Sequence, residues 1–168
     1  MKEKINPDDI KIRTELLPGD IGYITYMHGH LYHKEYNYSI AFETYVAAGL
    51  IEFHQHYDLA RDCIWICEHR DKIIGFLLLM HRGESAQLRY FILDPAYRSI
   101  GLGKKLMDLY IECLRKNRYT SSYLWTTHEQ LAAAHLYTRY GFKLTEEKES
   151  TAFGKLLKEQ RYDLLIAE

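Results

Sequence analysis

Nothing in these 168 residues marks an internal boundary: no Pro/Ser-rich linker, repeat or low-complexity tract interrupts the chain. With 47% hydrophobic residues it is long enough to bury one core and short for two, so a single domain over residues 1–168 is expected. Charge of one sign is also missing. Twenty-two Lys+Arg against 23 Asp+Glu leave a net −1, which removes the global basic field of a nucleic-acid partner. No apolar run is long enough to span a bilayer, and MKEKINPDDIKIR has no signal-peptide core. A cytoplasmic chain without membrane or nucleic-acid partners is the expectation. Cys63, Cys67 and Cys113 are odd in number and lack a CxxC pair, so they read as reduced, packed thiols.

What is present is an alternation of strand and helix patterns. Ile10 to Glu15 reads as a strand; Pro18-Gly19-Asp20 turns into a helix holding Ile21, Ile24 and Met27. A second helix follows the possible N-cap Ser39, with Phe42, Val46, Leu50 and Phe53 on its stripe. Asp62 to His69 and Lys72 to His81 form a hairpin about Arg70-Asp71, and Gln87 to Leu93 is a third consecutive strand. Leu102, Leu106, Leu109, Tyr110 and Cys113 mark an amphipathic helix ending near Asn117. After a strand at Ser122 to Thr126, Thr127 to Gln130 matches a capping box for a helix carrying Ala133, Leu136, Tyr137 and Tyr140, stopped by Gly141. Strands at Phe142 to Glu147 and Lys158 to Ile166 complete an α/β chain.

The stretch AYRSIGLGKKL stands at the junction of a strand and a helix. Its two glycines allow close backbone approach, and the helix N-terminus offers unpaired N–H groups to an anion. A Gly-x-Gly before a helix can be a tight turn only. A dinucleotide fingerprint needs a third glycine where Leu106 stands, and a P-loop needs wider glycine spacing followed by Lys-Ser/Thr; neither is met.

Arg98-Ser-Ile-Gly101-Leu-Gly103 resembles the Arg-x-x-Gly-x-Gly acyl-CoA loop of the GNAT N-acetyltransferases, between the fourth strand and third helix. Ala133, Leu136, Tyr137 and Gly141-Phe142 resemble that superfamily's penultimate helix. The segment His28 to Tyr32 with Glu35-Tyr36 and Phe42-Glu43 also resembles the acetyltransferase half of bacterial MarR–GNAT fusions, without a MarR-like portion before it.

The resemblance implies a GNAT fold: a central, mixed but mostly antiparallel twisted sheet of about seven strands flanked by about four helices. It implies acetyl-CoA as acyl donor, held by Phe91, Ile92, Leu93, Arg98, Ser99, Ile100, Gly101, Leu102, Gly103, Lys104 and Lys105. The implied activity is transfer of acetyl to a small-molecule or peptide amine, by a monomer or homodimer. A non-catalytic acyl-CoA sensor is the alternative, because its coenzyme loop would look the same.

Chemistry constrains the remaining residues. An amine with an ammonium pKa near 10.4 presents roughly one free base in a few thousand molecules at pH 7, so a proton acceptor is needed. The leaving thiolate needs a donor, which the family match assigns to Tyr137. Where many GNAT enzymes place a Glu on the fourth strand, the resemblance matches Gln87 in this chain, whose amide cannot accept the proton. Glu35, Glu43, Glu84 or a water chain could serve instead, and Glu43 is taken as the candidate. Arg89 is expected to share a strand face with Gln87 and Phe91 and must be paired there, either with Glu35 or Glu43 or with a substrate carboxylate. Gln87, Arg89, Glu35 and His30 are thus the candidate substrate-binding residues. On a helix His28 and His30 point apart and only His30 and His33 share a face, so cleft-lining histidines are expected rather than a metal site.

Overall fold

The structure is a computed structural model that describes residues 5–167; residues 1–4 and 168, the two ends of the expected domain, lie outside the described residues. In chain order the elements are β1 (Lys11–Arg13), α1 (Asp20–Tyr36), α2 (Ile40–Gln55), β2 (Cys63–His69), β3 (Lys72–Arg82), β4 (Ser85–Leu93), α3 (Leu102–Lys116), β5 (Ser121–Thr127), α4 (Leu131–Arg139), β6 (Lys143–Ser150) and β7 (Leu157–Leu165). The strands form one sheet in the order β1-β2-β3-β4-β5-β7-β6. Only β4 and β5 pair in parallel. The mixed, mostly antiparallel α/β architecture is the one the sequence resemblance implied.

Both faces of the sheet are covered, which explains why β3 shows no polar alternation. Its Leu77 and Leu79 join a core cluster with Leu106, Met107 and Tyr110 of α3, while Phe76, Leu78 and Met80 join another with Ile24 of α1 and Val46, Leu50 and Phe53 of α2. Arg70 and Asp71 take φ +52° and +61°, the left-handed pair that a tight hairpin between β2 and β3 requires. Ser39 caps α2 by accepting the Ala41 N–H at 3.2 Å. The first strand is shorter than its apolar pattern: Arg13 reaches Asp20 at the start of α1 (2.7 Å) and Glu68 of β2 (2.8 Å), and the chain turns there.

Two expectations are corrected. Thr127 does not cap α4: it ends β5, shares a 2.6 Å hydrogen bond with the Tyr38 hydroxyl, and leaves α4 to begin at Leu131 without a side-chain cap. Nor are all three cysteines reduced. Cys63 and Cys113, 50 residues apart, form a disulfide, and only Cys67 is a free thiol, buried and pushed up to about 12. Packing of α3 on β2 decides that pairing, and residue spacing carries no sign of it. Among the described residues no helix is long and apolar enough to cross a membrane, and no group of three or more His, Cys, Asp or Glu is placed to hold a metal ion.

Candidate active site

The parallel pair β4–β5 is short. Ser85, Ala86 and Gln87 pair with Ser121, Ser122 and Tyr123, after which β4 follows β3 and β5 follows β7, and a cleft opens between them. A bulge in β4 shapes one wall. Leu78 stands opposite Arg89 and Phe76 opposite Ile92, so Tyr90 and Phe91 together face Leu77, and Tyr90 takes φ +57°.

This bulge resets the alternation of side chains. Tyr90 follows Arg89 onto the α1/α2 side, whereas Phe91 crosses to the α3/α4 side, where its ring lies 6.4 Å from that of Tyr137. The expected common face of Gln87, Arg89 and Phe91 is therefore corrected: the first two share it and Phe91 does not. Gly49 of α2 makes the arrangement possible. An added Cβ would overlap the Tyr90 hydroxyl and lie 2.9 Å from Arg89 Nη2.

Arg89 lines the cleft, its side chain only 10% exposed. Its carboxylate partner is neither Glu35 nor Glu43 but Glu52, at 3.3 Å, and Glu52 lies nearer to Arg82, at 2.7 Å. The guanidinium also sits over the Tyr90 and Tyr45 rings, 4.6 and 5.4 Å from their centroids. Gln87 lines the same cleft with its amide oxygen already accepting from Arg82 Nε (3.1 Å) and the Tyr123 hydroxyl (3.4 Å). Tyr137 closes the cleft from α4, and burial raises its phenol pKa, which keeps the proton on at neutral pH.

Three polar atoms of cleft-lining residues are buried without a partner: His28 Nε2, the Tyr90 hydroxyl and Thr126 Oγ1. An unmet buried polar group costs about 1–3 kcal/mol, so their gathering in one cleft points to a ligand with complementary groups. Of the histidines expected to line a cleft, His28 does so, but from a buried position: it follows Met27 on the inward side of α1.

The loop before α3 adjoins this cleft. Ser99 and Gly101 have φ +64° and +88°, and α3 begins with no side-chain cap. Alternating left-handed residues running into free helix N–H groups form an anion-binding concavity. Gly103 lies within 3.6–3.8 Å of Leu136, Leu93 and Phe91, counted from where a Cβ would stand, and Phe91 leads on to Tyr137. Of the expected loop residues, Leu102 is buried in the core and offers only its backbone; Ile100 packs against the same core. Ile92 points into the α1/α2 cluster, opposite to Phe91 and Leu93. Arg98 is held by Glu35 through two contacts of 2.8 and 3.1 Å and donates from Nε to the Leu93 carbonyl at 3.2 Å. Glu35 thus sits at the loop rather than in the cleft. Lys104 pairs with Asp108 at 2.9 Å, and Lys105 is exposed.

Glu43 and His30 are elsewhere. Both line a depression between α1 and α2, beside Gly29, Tyr26 and His33, and neither lines the cleft. His30 stacks on Tyr26 there at 5.5 Å.

A family model described as the Acetyltransferase (GNAT) family matches residues 27–142. N-acetylaspartate synthetase from Xenopus tropicalis is 32% identical over 83 residues, 48% of this chain and 31% of that protein. The chain spans less than half the length of the curated relatives it matches. A GNAT-family acetyltransferase from Staphylococcus aureus Mu50 superposes with a TM-score of 0.76 at 19% identity, over 94% of this chain and 99% of the other. A structure from Salmonella typhimurium with its cofactor acetyl-CoA gives 0.73 at 18% identity, covering 95% of each chain. At such identities the structural likeness is one of fold.

Proposed function

This chain belongs to the acetyltransferase (GNAT) family, and on that premise we propose that it transfers an acetyl group from acetyl-CoA to a primary amine by direct attack in a ternary complex. The carrying observation is the meeting of an uncapped α3 N-terminus, entered through left-handed Ser99 and Gly101, with the β4–β5 cleft at Phe91 and Tyr137. The backbone N–H groups of Ser99 to Lys104 would hold the pyrophosphate, with Arg98, Lys104 and Lys105 as nearby charge and the ends of β4, Phe91 to Leu93, alongside the pantetheine. Tyr137, kept protonated by burial, would donate to the leaving sulfur.

Arg89 supports an acceptor that carries a carboxylate. Its fork lines the cleft with one long contact to Glu52, which leaves hydrogens for a bidentate partner. The relative named for N-acetylaspartate synthesis has such a product. Gln87 borders the same acceptor space.

Thiol release from acetyl-CoA, measured over amines paired with and without a carboxylate, tests this reading. Turnover is expected to favour the acidic members. Arg89→Lys keeps the charge and loses the fork; with about 1.5–3 kcal/mol in a charge-assisted hydrogen bond, kcat/KM for those members should fall roughly ten- to a hundredfold, and for neutral amines much less. Equal losses with a lower melting temperature would make Arg89 a structural partner of Glu52. Tight acetyl-CoA binding without transfer to any amine would turn the reading toward an acyl-CoA sensor.

A further inference from the structure

The proposed reaction still requires a group to take the amine's proton. Gln87 cannot, and Glu43 lies outside the cleft. We propose that His28 Nε2 takes that proton as the amine attacks, an inference that rests on acetyl transfer taking place in this cleft.

The tautomer follows from geometry. His28 Nδ1 lies 2.8 Å from the Ile24 carbonyl oxygen, which can only accept, so Nδ1 carries the hydrogen and Nε2 presents its lone pair. That lone pair has no partner, in a residue 1% exposed that lines the cleft with Tyr137 and Thr126. The ring is locked in place, stacked on Tyr32 at 5.9 Å and edge-on to Tyr90 at 5.7 Å. A histidine kept only for packing would waste this acceptor, whereas the N–H of an entering amine satisfies it.

Burial lowers the imidazole pKa to about 4, so the ring is neutral and ready to accept at physiological pH. A weak base is adequate, because the amine nitrogen becomes cationic and strongly acidic once it has bonded to the carbonyl carbon. Negative charge developing nearby on the carbonyl oxygen and sulfur raises the basicity of the ring at that moment.

The protons balance. An amine that has left its ammonium proton in solvent bonds through nitrogen to the thioester carbon and gives one further proton to His28 Nε2; the C–S bond breaks and the sulfur takes a proton from the Tyr137 hydroxyl. Through solvent, His28 then returns its proton to the Tyr137 phenolate, leaving amide, free thiol and both side chains as they began.

Among the residues lining the cleft the rival base is one carboxylate, Glu159. Steady-state thiol release should therefore be compared in wild type, His28→Asn, His28→Phe, His28→Ala and Glu159→Gln, with melting temperature and acetyl-CoA affinity measured for each. Asn retains a donor for the Ile24 carbonyl, and Phe retains the ring packing; neither has a lone pair at the Nε2 position. Both should keep coenzyme affinity and lose kcat by roughly 10²- to 10⁴-fold, while Glu159→Gln stays near wild type, and added imidazole should restore part of the rate to His28→Ala. Folded His28 variants with wild-type kcat, losses that merely track a lower melting temperature, or a loss confined to Glu159→Gln would each overturn the assignment. If wild type transfers acetyl to no amine, the proposed function itself fails, and this inference falls with it.

Discussion

Protonating His28 in the folded chain would place a charge between the Tyr32 and Tyr90 rings, and the fold resists it: burial lowers the pKa from 6.5 to about 4. The other titratable groups facing it are Tyr137, Tyr45, Arg89 and Glu159, which line the same cleft. Between the two pKa values the unfolded chain binds a proton that the folded chain refuses, so stability rises with pH. The contribution is fully present above about pH 6.5 and is lost as pH falls toward 4, about 3 kcal/mol in all. Glu52 and Asp163, held low by Arg82 and Arg161, lose their contributions only at more acidic pH, below the ordinary 4.5 and 3.8. Thermal melts from pH 4 to 7 should therefore show a steep acid-side decline in wild type and a flatter one in His28→Asn. Parallel curves would mean that the imidazole is solvated and titrates normally.

At the scale of elements, the start of α3 separates two uses of glycine. Gly101 has φ +88°, so Gly101→Ala is strained by about 1–2 kcal/mol with or without ligand. Gly103 lies inside the helix at an ordinary φ, and a Cβ there would make normal contacts of 3.6–3.8 Å. Gly103→Glu should therefore fold nearly as well as wild type, yet its added charge and bulk at the proposed pyrophosphate site should abolish acetyl-CoA binding in calorimetry. Unchanged affinity would move the coenzyme away from this loop. The Gly-x-Gly spacing made the loop legible before any fold was known. The bulge at Tyr90 was not legible, because no residue in QLRYFIL advertises a left-handed tyrosine, and the faces of Phe91 and Arg89 depend on it. The supposed capping box at Thr127 failed for a related reason. Pairing of β5 with β7 carries the strand through Thr127, and Tyr38 takes up its hydroxyl.

For the whole molecule, the Cys63–Cys113 disulfide fastens the last turn of α3 to the first residue of β2, on the face of the sheet that α3 covers. Thiol titration in denaturant without reductant should find one reactive cysteine, Cys67, and three after reduction. Closing a loop across 50 residues restricts the unfolded chain, by an amount worth up to about 4 kcal/mol, so reduction should lower the melting temperature. Three thiols in the unreduced protein would remove both the cross-link and this stabilisation.

The sequence by itself determined the order of strands and helices, the family and the glycine-containing loop that opens α3. These rest on local periodicity and on a contiguous motif, which neighbouring residues along the chain specify together. Tertiary structure alone decided the lining of the cleft and its surroundings: that Arg89 meets Glu52, that Glu35 meets Arg98, that Glu43 and His30 share a separate depression, and that His28 lines the cleft. Each of these depends on how α1 and α2 dock against a bulged β4, a contact between residues dozens of positions apart. Helical spacing can place a side chain on a helix face, but packing chooses what that face meets.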